Sequence, residues 1–278
     1  MLRLIEEYPR LENRILAKRF LFIGLDYDGT LTPIVRHPDQ AELAKDTKSL
    51  LADLSHLPNT LVCIISGRSY QDVRRKVGVS RIIYAGNHGM EIKGRGVSFL
   101  VRDSKKITKE VSQICRNLNQ RLKGIAGVWV ENKGLTASIH YRLAESEDAQ
   151  KAKSIVSPLV EDYAGLRLAR GKKVWEIRPN LDWNKGKAMA HVLDRCLTKS
   201  WRRRSAVVYI GDDRTDEDVF SLLRQDGITA LVSRKPRQGS SAEFFLTHPR
   251  EVRSFLEWLC NLWEDRGVKS QSAGKDSF

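Results

Sequence analysis

At 278 residues the chain has room for a core domain carrying a second, smaller one. Its 41% hydrophobic and 29% charged residues are those of a globular protein. No stretch approaches the roughly 20 apolar residues of a membrane helix, so a soluble protein is expected, with no membrane partner. The net charge of +14 favours anionic ligands through the field it creates, without choosing among them.

In chain order, Met1 to Glu7 carries acidic residues where a secretory signal needs an apolar run, which predicts a cytoplasmic protein. Arg19 to Leu25 is an apolar run that stops at acidic residues and glycine, the pattern of a buried parallel strand. A helical pattern over Ala41 to Ser55 and a second apolar run, Thr60 to Ile65, complete one βαβ unit. A third strand at Arg81 to Ala85 and a glycine-rich hairpin around Glu91 to Val101 follow. The rhythm then changes. Helices are predicted at Ser104 to Lys123 and Ser146 to Ala164, with strands at Val128 to Asn132, Leu135 to Arg142, Leu166 to Ala169 and Lys173 to Arg178. Alternation resumes after Pro179: a helix over Lys185 to Leu197, a strand at Ala206 to Ile210 and a helix over Asp216 to Arg224. Strands at Thr229 to Val232 and Phe244 to Leu246 precede a last helix over Arg250 to Glu264.

This order predicts an α/β fold: a Rossmann-like parallel-sheet core from residues 1–102 and 180–266, with an inserted mixed α/β cap at 103–179. The tail, 267–278, is rich in Ser, Lys and Gly and is expected to be disordered. Trp201-Arg202-Arg203-Arg204 reads as a solvated loop before a strand rather than a nucleic-acid footprint, and no nucleic-acid partner is expected. Cys63, Cys115, Cys196 and Cys260 are far apart, with no C-x-x-C, which predicts reduced, mostly buried thiols and neither zinc nor disulfides.

Ligands of an open parallel sheet bind beyond the carboxyl ends of its strands, and four such ends are chemically loaded. After the first strand stand Asp26 and Asp28, with Gly29 allowing a sharp turn. One carboxylate can attack phosphorus while the other moves protons. A bare D-x-D-G is more often a plain turn, so the reading depends on its neighbours. Ser66 offers a hydroxyl to a phosphate oxygen, beside the backbone amides of Gly67 and Arg68. Lys185, or alternatively Lys187, can place a positive charge between nucleophile and phosphate. Gly211 to Asp218 gathers five acidic residues, which calls for a hard divalent cation, magnesium fitting best. Asp212 is assigned to the metal, Asp213 or Asp216 to its support, and Thr215 with Asp218 to a helix capping box.

Taken together, Asp26-x-Asp28-Gly29-Thr30, Ser66, Lys185 and Gly211-Asp212-Asp213 resemble the four motifs of the haloacid dehalogenase superfamily of phosphatases. The fuller wording is similar to the trehalose-6-phosphate phosphatase family. It comprises Leu25 to Ile34, Ile65-Ser66-Gly67-Arg68, Gly86-Asn87-His88-Gly89, Trp175 to Pro179, Trp183 to Lys187 and Tyr209 to Asp218. The resemblance covers Leu21 to about Phe245. It implies a core with a mixed α/β cap and a magnesium-dependent release of trehalose and phosphate, the last step of trehalose biosynthesis. It also implies magnesium held by Asp26, the Asp28 backbone carbonyl and Asp212. No glycosyltransferase half precedes the motifs, so a stand-alone phosphatase is expected, with a monomer the simpler state.

Trp129, Glu131 and Lys133 alternate along one predicted cap strand and share a face, while Glu176 lies on another. By the resemblance, Glu131, Lys133 and Glu176 grip sugar hydroxyls; Asn87 and His88 are further candidates for substrate contact. Two other readings use the same residues. A same-superfamily phosphatase could take sucrose phosphate or mannosyl-3-phosphoglycerate. A phospho-accepting signalling domain also has a strand-end Asp, acidic neighbours and a Lys, but lacks Asp28 and the cap.

Overall fold

The apolar runs become strands with nearly the expected limits, because each is buried on both faces. In the computed structural model, which describes residues 1–197 and 200–272, the central strands are β2 (Phe20–Leu25), β3 (Thr60–Ile65), β4 (Ile83–Gly86) and β11 (Ser205–Gly211). They belong to a nine-stranded sheet completed by β1 (Leu2–Arg3), β5 (Glu91–Gly94), β6 (Val97–Leu100), β12 (Ile228–Val232) and β13 (Phe244–Leu246). The order is β1-β13-β12-β11-β2-β3-β4-β5-β6. Pairing is parallel from β1 through β4 and turns antiparallel at β5.

Helices α1 (Tyr8–Leu16), α2 (Lys45–His56), α3 (Tyr70–Val77), α6 (Lys185–Cys196), α7 (Trp201–Arg204), α8 (Glu217–Leu223) and α9 (Pro249–Ser272) accompany this sheet. Each longer helix buries one stripe, as Leu50, Leu51 and Leu54 do on α2 and Val252, Phe255, Leu256, Leu259 and Trp263 on α9. The α/β class and the parallel core are those expected.

A second unit holds α4 (Ser104–Arg121), β7 (Trp129–Asn132), β8 (Ala137–His140), α5 (Ser146–Glu161), β9 (Leu166–Gly171) and β10 (Val174–Pro179). Its four strands form an antiparallel sheet in the order β7-β8-β10-β9. Ala137, Ile139, Trp175 and Ile177 are buried on one face. The compact units are Met1–Phe99 with the chain from Asn184 onward, and Leu100–Trp183. The inserted unit is a few residues longer than the 103–179 read from the sequence. Asn180 donates its amide to the Gly165 carbonyl at 2.8 Å, which ties the residues after β10 to the cap sheet.

Three further readings change. Trp201–Arg204 is a short helix, not a loop, with Trp201 buried beneath the exposed arginines. The helix α1, not foreseen, buries Leu11 and Ile15. The helix α9 continues beyond Glu264 through Ser272, part of the tail expected to be disordered; a helix nucleated by a packed stripe propagates cheaply into polar residues. The rest of that tail, 273–278, lies outside the described residues. Among the described residues no helix is long and apolar enough to cross a membrane, and the four cysteines form no disulfide.

Candidate active site

Adjacent parallel strands bring their carboxyl ends together, so Asp212, Asp26, Ser66 and Asn87 follow β11, β2, β3 and β4 as neighbours along one edge. After β2 the chain turns at once: Leu31 and Thr32 donate their amides to the Tyr27 carbonyl, and Gly29 donates to Thr32. Gly29 sits at φ +84°, and a Cβ there would lie 2.0 Å from Asp212 Oδ2. Only glycine meets both demands, and the Asp212 carboxylate therefore packs directly on the Asp26–Gly29 loop.

Asp26 is 5% exposed, and its amide donates to the Ile210 carbonyl at 2.9 Å. Lys185, the first residue of α6, is 2% exposed and has its Nζ 3.0 Å from Asp26 Oδ1 and 2.8 Å from Asp216 Oδ1. Burial works against the Lys185 charge, but the flanking carboxylates of Asp216 and Asp26 overcome it and raise its pKa. Burial raises the Asp26 pKa well above the usual carboxylate range; Lys185 opposes this, and Asp216, Asp212 and Asp28 add to it. Lys187, the alternative cation, lies exposed on the same helix.

Asp216 organises the acidic segment. Its Oδ1 accepts from Lys185 Nζ and from Tyr209 Oη at 2.7 Å, and its Oδ2 accepts the amides of Asp212 and Asp213 at 3.0 and 2.9 Å. A Cβ on Gly211 would meet this carboxyl carbon at 2.2 Å, so the glycine makes room for it. The capping box is thus formed by Asp213 and Asp216, not by Thr215 and Asp218, because a 3-10 turn at Arg214–Asp216 precedes α8. Asp26, Asp212 and Asp216 each offer an oxygen within 4.8 Å of the others. Since both Asp216 oxygens already accept two hydrogen bonds, Asp26 and Asp212 are the donors suited to a hard cation.

The loops after β3 and β4 are tied by backbone bonds: Asn87 donates to the Arg68 carbonyl at 2.6 Å and His88 to Ser66 at 2.8 Å. Asn87 and His88 take positive φ values of 48° and 57°, strain of the kind found where a structure over-determines its loops. Ser66 is buried, and its Oγ accepts the Arg68 amide at 3.2 Å. Arg68 does something the sequence did not suggest: its side chain binds both oxygens of Asp28, each at 2.7 Å.

In the inserted unit, Glu131 and Glu176 flank Ser138 in one register row across β7, β8 and β10. Lys133 Nζ is 3.8 Å from Glu131 Oε2, and His140 Nε2 is 2.8 Å from the same oxygen. The Trp129 ring stacks on His140 at 4.7 Å between centroids, and Arg178 donates from Nε to Glu176 at 2.8 Å. His140 and Arg178 are not candidates from the sequence: Arg178 lies two residues after Glu176 on the same face of β10, whereas His140 meets Trp129 only through the register of β8 on β7.

Comparison with known proteins agrees in direction. A trehalose-phosphatase family model matches residues 24–250. A probable trehalose-phosphate phosphatase D of Arabidopsis thaliana is 35% identical over 260 residues, which cover 89% of this chain and 69% of the relative. A solved trehalose-6-phosphate phosphatase related protein superposes with a TM-score of 0.76 at 25% identity, covering 90% of this chain and 99% of the other. A haloacid dehalogenase-like hydrolase from Bacteroides thetaiotaomicron shares the fold at a TM-score of 0.59 and 13% identity, with 86% and 99% covered.

Proposed function

The chain belongs to the trehalose-phosphatase family of phosphomonoester hydrolases, and from that premise we propose that it hydrolyses trehalose 6-phosphate to trehalose and phosphate through a phosphoryl-Asp26 intermediate, as the last step of trehalose biosynthesis. The observation that carries the chemistry is Lys185, buried between Asp26 and Asp216 at 3.0 and 2.8 Å. A fixed cation there screens an anionic nucleophile from an anionic substrate.

An Asp26 oxygen attacks phosphorus as the bond to the sugar oxygen breaks, and Asp28 gives its proton to that oxygen. Water then attacks the phosphoryl group, Asp28 takes the water's proton, and phosphate leaves with Asp26 regenerated. Ser66 and the Gly67 and Arg68 backbone are the groups proposed to face phosphate oxygens, with Asn87 and His88 beside them. The proposed cofactor is magnesium, held by Asp26, Asp212 and the Asp28 carbonyl. When bound it supplies positive charge to the phosphate oxygens. In the cap unit Glu131, Lys133 and Glu176 are the proposed sugar contacts. Four thiols without disulfides suit a reducing compartment, and we infer a cytoplasmic reaction.

Phosphate release across a panel of sugar phosphates tests the substrate. Trehalose 6-phosphate is expected to give the highest kcat/KM; equal or faster release from sucrose phosphate or mannosyl-3-phosphoglycerate sinks the assignment. The metal has its own test, independent of turnover. Magnesium at about 100 times its dissociation constant adds about 2.7 kcal/mol to stability, a rise in melting temperature of roughly 5 to 10 °C. Asp212→Asn is expected to remove that rise. An unchanged rise in the variant would place the cation elsewhere.

A further inference from the structure

Arg68 follows the β3 strand end, where an arginine would ordinarily be read as a hand for the substrate phosphate. Its side chain is instead committed to the protein. Nε and Nη2 donate to Asp28 Oδ2 and Oδ1 at 2.7 Å each, Nη2 also reaches the Pro38 carbonyl at 2.8 Å, and Nη1 binds Asp72 Oδ2 at 2.7 Å. The guanidinium lies 5.2 Å from the centre of the Tyr27 ring, and that ring is fixed by its hydroxyl on the Ala41 carbonyl at 3.0 Å. Asp72 is held in turn by Arg75 at 2.7 Å and lies in the first turn of α3.

The two partners differ in freedom. The Arg68 side chain is 6% exposed and braced on all sides, whereas the Asp28 side chain is 41% exposed on a turn. An aspartate so exposed samples several rotamers unless something holds it. A planar fork bonded to both carboxylate oxygens fixes orientation as well as position, which a point charge cannot do. Proton transfer needs its partner at hydrogen-bond distance, and a misplacement of about 1 Å can cost roughly 100-fold in rate.

We propose that Arg68 is the positioning residue for Asp28, holding its carboxylate where protons pass to the leaving sugar oxygen and from the attacking water. The proposal rests on the reading of Asp28 as the proton carrier. Asp72, an i,i+4 neighbour, and the Pro38 carbonyl occupy the remaining donors of Arg68 and so hold the fork that grips Asp28.

The leaving group provides the test. A sugar alkoxide needs a proton as it departs, whereas p-nitrophenolate leaves without one. First-turnover rates of the full chain with magnesium are measured on trehalose 6-phosphate and on p-nitrophenyl phosphate, and the p-nitrophenol released in the first turnover counts folded, nucleophilic sites. Arg68→Gln is expected to slow the sugar phosphate at least tenfold more than the aryl phosphate, with KM for the sugar phosphate within about threefold of wild type. Arg68→Lys should recover only part of the loss. Equal losses on both substrates, a raised KM with unchanged kcat, or wild-type turnover of the sugar phosphate would each overturn the proposal.

Asp28→Asn separates the premise from the inference: if it turns over sugar phosphate normally, Asp28 is not the proton carrier, whatever Arg68 does. Should Arg68→Gln give no first-turnover p-nitrophenol, Asp72→Asn unties the far end of Arg68 without touching Asp28. The same selective loss, smaller in size, is then expected, and equal losses on the two substrates count against the proposal.

Discussion

Asp26→Asn is expected to lower phosphate release by roughly 10⁴-fold or more while leaving the protein folded. The substitution keeps shape and a hydrogen-bond acceptor for Lys185, but the neutral amide is a poor nucleophile. Acid quenching of a reaction with phosphorus-labelled substrate should trap label on the wild-type chain and none on the variant. Label on Asp26→Asn, or activity above about 1% of wild type, would remove Asp26 from the nucleophile's role.

Stability should move the other way. The folded-state pKa of Asp26 is raised above its ordinary value of 3.8, first by burial and then by Asp216, Asp212 and Asp28 against the pull of Lys185. A carboxyl group raised in this way favours folding below the unfolded pKa, and that contribution is lost as pH rises through the folded value. At neutral pH the ionised group therefore costs stability. In a chelating buffer Asp26→Asn should melt at or above the wild-type temperature at pH 7, with the difference vanishing below about pH 3.8. A lower melting temperature at pH 7 would contradict this sign.

How much of this is legible in the sequence depends on the range of the interaction. The strands β2, β3 and β11 are continuous apolar runs that end at charged or small residues, so their ends, and the residues Asp26, Ser66 and Asp212 that follow them, can be read directly. The division of labour inside Gly211–Asp218 cannot, because five carboxylates in so short a segment carry no record of which one the chain folds back upon. The 3-10 turn decides it by aiming two amides at Asp216. Tyr209 is equally hidden: in an apolar strand it looks like core, and only the buried carboxylate opposite its hydroxyl gives it a polar task. The Arg68–Asp28 pair spans 40 positions. Local pattern shows only a Ser-Gly turn and an arginine four residues before Asp72.

The inserted unit follows the same rule. Alternation along β7 puts Trp129 and Glu131 on one face, a local property, and Lys133 follows in the turn just after the strand. That Glu131 and Glu176 lie in one row depends on the register of β7 and β10 against β8, which no single strand reveals.

Lys185→Met should be strongly destabilising and should lower turnover, though less than Asp26→Asn does. It leaves Asp26 and Asp216 buried together without the cation that bridges them at 3.0 and 2.8 Å. Breaking a buried pair from one side costs about 3–5 kcal/mol, which for a domain of this size lowers the melting temperature by roughly 10 °C. Loss of the screening charge should reduce kcat by roughly 10² to 10³. The pH dependence separates this from a packing defect. Burial alone would raise the Asp216 pKa, but Lys185, Tyr209 and the Asp213 amide more than offset it and hold it below 3.8, so its stabilising contribution is present above that value and lost as pH falls through the depressed one. The Lys185 pKa is raised above 10.5 by Asp216 and Asp26 against the effect of burial, so its contribution is complete below 10.5 and lost as pH rises through the folded value. Denaturant unfolding of wild type and Lys185→Met across pH should therefore give a deficit that is largest from neutral pH up to about 10. It narrows in alkali as wild-type Lys185 loses its proton, and narrows in acid as Asp26 and Asp216 of the variant, raised by burial with no cation to oppose it, take up protons. A deficit independent of pH would mean that methionine merely packs badly, and no deficit at pH 7 would mean that Asp26 and Asp216 do not depend on Lys185 for their charge.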